Sequence, residues 1–278
     1  LANGLLISAQ APRPAVHSID PARGLVVDVT PDAGNGKLTS AFAPRAGTNA
    51  VRLSVVIPVY NEIATIGEVI RRVLATDFDL DIIVVDDGST DGTSEYLKQI
   101  SHPRVRCFHH AVNRGKGAAL RLGFAAARAP LIVIQDADLE YDPRDYAAVL
   151  QPLIDGRADM VFGSRFLGGL HRVLFFWHFV GNRFLTLLCD MLSNLNLSDM
   201  ETGMKAFKRD KLAQLSLCAN RFTFEPEVTV KAARAGWRIY EVPISYAGRT
   251  YAEGKKINWH DGLTTIAAMF YHRLFDHI

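Results

Sequence analysis

The chain has 278 residues, of which 49% are hydrophobic and 22% charged, with a formal net charge of +2. That much apolar material can bury a large α/β core, which excludes general disorder, and a near-neutral balance supplies no global field for nucleic acid. Three scattered cysteines, Cys107, Cys189 and Cys218, show neither metal-ligand spacing nor a disulfide framework and read as buried thiols in a reducing compartment.

Residues 1–50 carry five of the twelve prolines among scattered Gly, Ser and Ala, and only "GLVVDV" is strand-like, so this part reads as an irregular extension. The first methionine is Met160, so the numbering does not begin at a start codon, and no charged segment leading into a long apolar run marks a secretory signal. From residue 53 the texture changes. "LSVVIPV" (53–59) predicts a buried strand, and Ile66, Val69, Ile70, Val73 and Leu74 predict one face of a helix. A strand at 81–85, a helix near 93–100, a strand at 104–110, a helix reaching about Arg128 and a strand opening at 131 follow. Alternation of this length predicts an α/β fold with a mostly parallel central sheet and helices on both faces.

In such sheets ligands bind beyond the carboxyl ends of the strands. Four polar motifs fall there: "YNE" (60–62), "DDGSTDGT" (86–93), "NRGKG" (113–117), and the acids of "LIVIQDADLEYDP" (131–143). Asp, Gly, Ser and Thr after a strand also form plain turns and helix caps. "NRGKG" is no P-loop, because Gly117 follows Lys116 where Ser or Thr is needed, and the first strand lacks a dinucleotide glycine fingerprint. The acids are harder to explain as a turn. Asp136, Asp138 and Glu140 are two apart, so they point the same way in extended chain and repel unless a cation joins them. Hard oxygen ligands without His or Cys suit Mg²⁺ or Mn²⁺, which keep positions open for substrate phosphates.

In this order, "VVIPVYNE", "VVDDGSTDGT", "NRGKGAAL", "DADLEYDP", "GSRF" and "RTYAEGKKI" resemble a family 2 glycosyltransferase of the GT-A fold, in the branch of dolichol-phosphate mannose synthase and bacterial polyprenyl-phosphate glycosyltransferases. The likeness covers about residues 52–270. It implies a nucleotide-diphosphate sugar donor, GDP-mannose or UDP-glucose, with Pro58, Tyr60, Glu62 and Asp87 around base and ribose, and Lys116 on the donor side. Asp136 and Asp138 match the family's acidic metal motif, with Glu140 where some relatives have Gln. Arg249 and Lys255 match a basic pair on the diphosphate. Arg165 matches an acceptor-phosphate arginine, Arg172 is a looser match to a second, and His178 falls where a relative has serine. Asp138, Arg249 and Lys255 are the implied catalytic residues, in a catalytic domain of 51–258.

The most apolar stretch, residues 170–197, is interrupted by His171, Arg172, His178, Arg183 and Asp190, so it is no spanning helix. It reads either as a core helix pair or as an interfacial segment with Phe and Trp in the lipid boundary. Residues 259–278 repeat the theme as an amphipathic helix, with Trp259, Leu263, Ile266, Phe270 and Leu274 at helical spacing. Periodicity alone favours the core reading. The family resemblance tips it toward peripheral membrane contact at the cytoplasmic face and a polyprenyl phosphate acceptor. A hydroxyl acceptor would instead need a carboxylate base, for which Asp199, Glu201 and Glu225 are the candidates.

Overall fold

The computed structural model describes residues 17–20, 25–28, 51–173, 175–250 and 259–276. The chain divides into two compact units, Leu1–Thr48 and Asn49–Ile278. In the first, β1 (His17–Asp20) and β2 (Leu25–Asp28) pair antiparallel, His17 opposite Asp28 and Asp20 opposite Leu25. The sequence marked only β2, inside "GLVVDV". The "HSID" strand has little β propensity of its own and is defined by its partner.

The second unit runs β3 (Arg52–Val59), α1 (Ile66–Leu74), β4 (Asp79–Asp86), α2 (Thr93–Lys98), β5 (Val105–His109), α3 (Lys116–Ala126) and β6 (Leu131–Ile134). A 3₁₀ turn (Pro143–Asp145) then leads into α4 (Tyr146–Ile154), followed by β7 (Met160–Ser164) and α5 (Phe176–Ser193). Last come β8 (Lys205–Lys208), α6 (Arg209–Leu212), α7 (Phe224–Arg234), β9 (Ile239–Pro243) and α8 (Trp259–Leu274). The sheet has seven strands in the order β5-β4-β3-β6-β8-β7-β9. All neighbours are parallel except β8, which runs antiparallel to both β6 and β7. The sheet is therefore mixed but mostly parallel, as the alternating pattern predicted for its first half.

Strand residues alternate between two cores. Val55, Ile57, Ile82 and Val84 pack with Ile66, Val69, Ile70 and Val73 of α1 and Val149 and Leu153 of α4. Val56, Ile83 and Val85 face the other way, onto Ala119 and Leu120 of α3 and Phe224 and Val228 of α7. This is the period of two expected of strands buried on both faces. Gly123 makes one of these layers possible, since a Cβ there would lie 2.3 Å from Val56 Cγ1.

The chain leaves β3 toward β4 and β5 on one side, and β6 takes the other, so the strand order reverses between β3 and β6. Pro58 sits at this switch point. β6 pairs with β3 only from Leu53 to Val56, so Pro58 lies beyond the ladder on that side, where a missing N–H costs nothing.

A third cluster joins α5, α7 and α8 through Cys189, Met200, Val230 and Met269. Beside it Cys218, Glu227, His272 and Asp276 surround Lys231, whose ammonium is 2.9 Å from Glu227 and 2.7 Å from Asp276 and already fills the cation position. Of the three cysteines Cys189 is buried, Cys107 half-buried and Cys218 exposed, so the buried-thiol reading holds fully only for Cys189.

Candidate active site

All four motifs open at the carboxyl ends of β3 to β6. In "YNE", Asn61 takes a left-handed φ of 53° and locks onto the β4–α2 loop: its N–H donates to Ser89 Oγ (2.9 Å) and its Oδ1 accepts from Thr90 N–H (2.8 Å). Glu62 N–H donates to Thr93 Oγ1 (3.1 Å), and Tyr60 stands partly exposed on the rim. Asp87 is buried and clamps the next loop. Its oxygens accept from Arg114 N–H (3.0 Å) and Gly115 N–H (2.7 Å), with His110 Nδ1 at 2.7 Å. This carboxylate is thus committed to holding "NRGKG" against β4, a task that sequence reasoning did not give it.

After β6 the chain turns through Leu139, whose φ of 64° is rare for a bulky L-residue and costs roughly 1–2 kcal/mol. That turn brings the alternating acids together. Glu140 N–H donates to Asp138 Oδ1 (3.1 Å), and Asp136 lies against Lys116 Nζ (2.9 Å). Gly203, from the segment before β8, completes the cradle, because a Cβ there would sit 2.0 Å from Asp136 Oδ2. Nothing in the local sequence "ETGMK" announced that role.

Arg249 closes the site from more than one hundred residues downstream. Its Nη1 and Nη2 donate to the two oxygens of Glu62 (3.1 Å each), and Nη2 also reaches Asp138 Oδ2 (3.2 Å). Both carboxylate oxygens of Glu140 are engaged, one by Arg249 N–H (2.8 Å) and one by Tyr246 O–H (2.8 Å). Glu140 therefore positions the 246–249 segment. Burial alone would lower the guanidinium's pKa, but Glu62, Asp138 and Glu140 hold it above the usual arginine range. Lys255, expected beside Arg249, lies outside the described residues.

Among the described residues, Glu62, Asp136, Asp138, Glu140 and Glu225 are ion-paired to Lys116 and Arg249, so acids outnumber bases there. Burial, together with the charges of Asp136 and Glu140, pushes the Asp138 carboxyl up to about 7 despite Arg249. A set of hard oxygen donors short of positive charge, with no His or Cys among them, fits a divalent cation of the Mg²⁺ or Mn²⁺ type.

The expected acceptor residues lie along the 246–248 segment that leads into Arg249. Arg165 is largely enclosed and forked onto Asp199, Nε to Oδ2 (2.7 Å) and Nη2 to Oδ1 (2.7 Å), while the Tyr246 ring lies 5.2 Å from its guanidinium carbon. Nε and Nη2 are thereby spent on Asp199, and Nη1 stands outside this fork. Arg172 is exposed, and its Nη1 donates to Gly248 O (3.2 Å). Asp199 and Glu225, weighed as bases, are ion-paired with Arg165 and Lys116. Burial and the Glu225 charge push Glu201 up to about 8.

The apolar stretch at 170–197 contains one helix, α5, and much of its apolar surface is outward: Phe176 is 65% and Trp177 79% exposed, after Leu170 at 86% and Val173 at 85% ahead of the helix. On α8 the residues turned inward are Thr265, Met269 and His272, whereas Leu263, Phe270 and Leu274 are exposed. Each helix thus keeps one face in the third cluster, through Cys189 and Met269, and leaves most of its large apolar residues outward. Among the described residues no helix is long and apolar enough to cross a membrane.

Comparison with known proteins gives this geometry a family. The model described as "Glycosyl transferase family 2" matches residues 54–216. The undecaprenyl-phosphate mannosyltransferase of Micrococcus luteus is 30% identical over 220 residues, 74% of this chain and 87% of that protein. The polyprenol monophosphomannose synthase of Mycolicibacterium smegmatis is 29% identical, over 73% of this chain and 80% of its own length. Among solved structures, glucosyl-3-phosphoglycerate synthase from Mycobacterium tuberculosis, in complex with Mn²⁺, UDP and phosphoglyceric acid, superposes with a TM-score of 0.63 at 22% identity, covering 82% of this chain and 80% of that one. It shares the GT-A-like α/β fold. With the fold, the order of the motifs and the sequence relationship in agreement, the chain belongs to glycosyl transferase family 2 and is a glycosyltransferase.

Proposed function

We propose that the protein transfers a hexose from a nucleotide-diphosphate sugar, GDP-mannose or UDP-glucose, to a polyprenyl phosphate at the cytoplasmic face of a membrane, with inversion at the anomeric carbon. One observation carries the lipid acceptor. The segment 170–172 is hydrogen-bonded along 246–248, Tyr246 N–H to Leu170 O (2.9 Å) and Arg172 N–H to Tyr246 O (2.8 Å), and 246–248 leads straight into Arg249. The exposed apolar surface of Leu170, Val173, Phe176 and Trp177 therefore begins at the edge of the acidic site. A chain that lays such residues on lipid places its site at the depth of a lipid phosphate. The names of the two prenyl-phosphate relatives support the same acceptor.

Asp136 and Asp138 would hold Mg²⁺ or Mn²⁺, which supplies positive charge to the departing diphosphate. Pro58, Tyr60 and Glu62 border the donor side, with Asp87 keeping the loop behind them in place. Arg249 and Lys116 add fixed positive charge where negative charge grows as the sugar leaves. Arg172, and Nη1 of Arg165, would meet the acceptor phosphate. That group has its second pKa at about 6, so it is largely dianionic at neutral pH and attacks without a protein base. The half-buried Glu201 and the buried Glu225 are then free of proton transfer.

Lys in place of Arg249 keeps the charge but not the fork that spans Glu62 and Asp138. Donor affinity and transfer are each expected to fall roughly tenfold, the worth of one charge-assisted hydrogen bond. Arg71→Lys, on the exposed face of α1 beside Glu68, should change neither. Equal small effects from the two substitutions would reduce Arg249 to a surface charge.

The acceptor is tested on α5. Replacing Phe176 and Trp177 with Ser is expected to release the protein from anionic vesicles and slow transfer to a polyprenyl phosphate, with donor binding unchanged and the melting temperature within a few degrees of wild type. Vesicle binding that survives the double substitution, or transfer to a soluble sugar hydroxyl at an undiminished rate, would move the assignment to a hydroxyl acceptor.

A further inference from the structure

Behind Asp136 lies a buried polar cluster of which the transfer chemistry uses Lys116 alone. Lys116 Nζ is 2.9 Å from Asp136 Oδ1 and 3.2 Å from Oδ2, and on its other side 3.2 Å from Glu225 Oε1. Glu225 stands in the first turn of α7, is 4% exposed, and its Oε2 makes no hydrogen bond. Beyond it are Glu201, whose Oε1 likewise has no hydrogen-bond partner, and the fully buried Lys205, whose ammonium donates to Thr202 O. Burying a carboxylate with one oxygen unsatisfied is costly, so Glu225 is expected to contribute something that a neutral side chain would not.

What it can contribute is a claim on Lys116. An ammonium held between two carboxylates shares its charge between them, and Asp136 keeps net negative charge for a second cation. With a neutral residue at 225, Lys116 would belong to Asp136 alone, and a divalent ion would meet a neutral ion pair. Lys116 would then compete directly with the metal for the same oxygens. We infer that Glu225 is a positioning residue for the metal-binding acid, drawing Lys116 partly off Asp136 and so setting the affinity of the site for its divalent cation. The inference rests on the metal assignment of the preceding section, and it accounts for a buried carboxylate on α7, far in sequence from every metal-motif residue.

The test is Mn²⁺ binding to the full chain by titration calorimetry, without donor or turnover, taking as site-specific the binding that Asp138→Asn removes. Glu225→Gln is expected to weaken that binding about tenfold, the scale of one charge-assisted hydrogen bond. Glu225→Asp keeps the charge and should recover most of the loss, which a purely structural role would not allow. Lys116→Met, which removes the competitor, should tighten Mn²⁺ several-fold, and in that background Glu225→Gln should change binding by less than about twofold. The same tenfold loss with and without Lys116 would mean that Glu225 acts through its own field, and the inference would be wrong. Unchanged Mn²⁺ binding in a folded Glu225→Gln protein would overturn it too. If that variant does not fold, Lys116→Met decides alone: weaker or equal Mn²⁺ binding overturns the competition on which the inference stands. Wild-type protein with no Asp138-dependent Mn²⁺ binding would remove the metal assignment itself, a distinct failure.

Discussion

Asp138→Asn is expected to lower sugar transfer by on the order of 10²–10³-fold while leaving the fold intact, since it removes a charged oxygen ligand of the cation that would offset the charge of the departing diphosphate. The substitution is isosteric, and Asp138 is crowded by Asp136 and Glu140 in a half-enclosed site. Neutralising it relieves like-charge repulsion, so the melting temperature should hold or rise slightly. Chelation of divalent ions should reproduce the loss in the wild type, and added Mn²⁺ or Mg²⁺ should restore it. Both measurements are needed because they fail differently. Near-normal turnover of Asp138→Asn would sink the assigned ligand, and near-normal turnover under chelation would sink the metal.

The second large effect falls on stability. Asp199 is fully buried and is the only carboxylate forked onto Arg165 among the described residues; its oxygens also accept from Arg165 N–H (3.1 Å) and from Asn182 Nδ2 of α5 (3.3 Å). Asp199→Asn leaves a buried guanidinium without its counter-charge, a change that costs about 3–5 kcal/mol. For a unit of this size each kcal/mol is worth roughly 2–4 °C, so the melting temperature should drop by roughly 6–20 °C. Burial works to raise the Asp199 pKa, but Arg165 overrides it and holds the carboxyl below the ordinary range. A carboxyl depressed in the folded state adds stability above its unfolded pKa and loses it as pH falls through the folded value. The gap between wild type and Asp199→Asn should therefore be full at neutral pH and narrow below about pH 4. Denaturant unfolding at pH 7 and at acidic pH reads both. Adding Arg165→Met to Asp199→Asn should recover part of the loss, because it removes the stranded charge. An additive double mutant would show that the pair is not the source of the effect.

Several features were plain in the sequence. The face of α1 was predicted residue by residue, because Ile66, Val69, Ile70 and Val73 can share a side of a helix in only one way. The four motifs were placed on one rim because parallel strands all deliver their loops to the same end of a sheet. The alternating acids announced a need for positive charge. The sequence did not show where the protein's own share comes from. Arg249 returns from the far end of the unit, and Lys116 turns out to be divided between Asp136 and Glu225, a carboxylate on a helix that packs against the other core. Gly203 reads as an ordinary loop glycine until Asp136 is seen to need its missing Cβ.

The amphipathic segments show the boundary most clearly. Leu263, Phe270 and Leu274 of α8 have the spacing of a core face, yet they point outward, and the contact with α5 and α7 is made through Met269, with Thr265 and His272 also turned inward. Periodicity reports that one side of a helix is apolar. Which side finds a neighbour depends on the surface offered by elements distant in sequence. By itself, then, the sequence determined the strand and helix alternation, the rim on which the chemistry sits and the family, since each follows from patterns a few residues long. Only the tertiary structure decided which charges balance the acids, which arginine is spent on a buried partner and which apolar face stays open, since these depend on contacts between residues far apart in the chain.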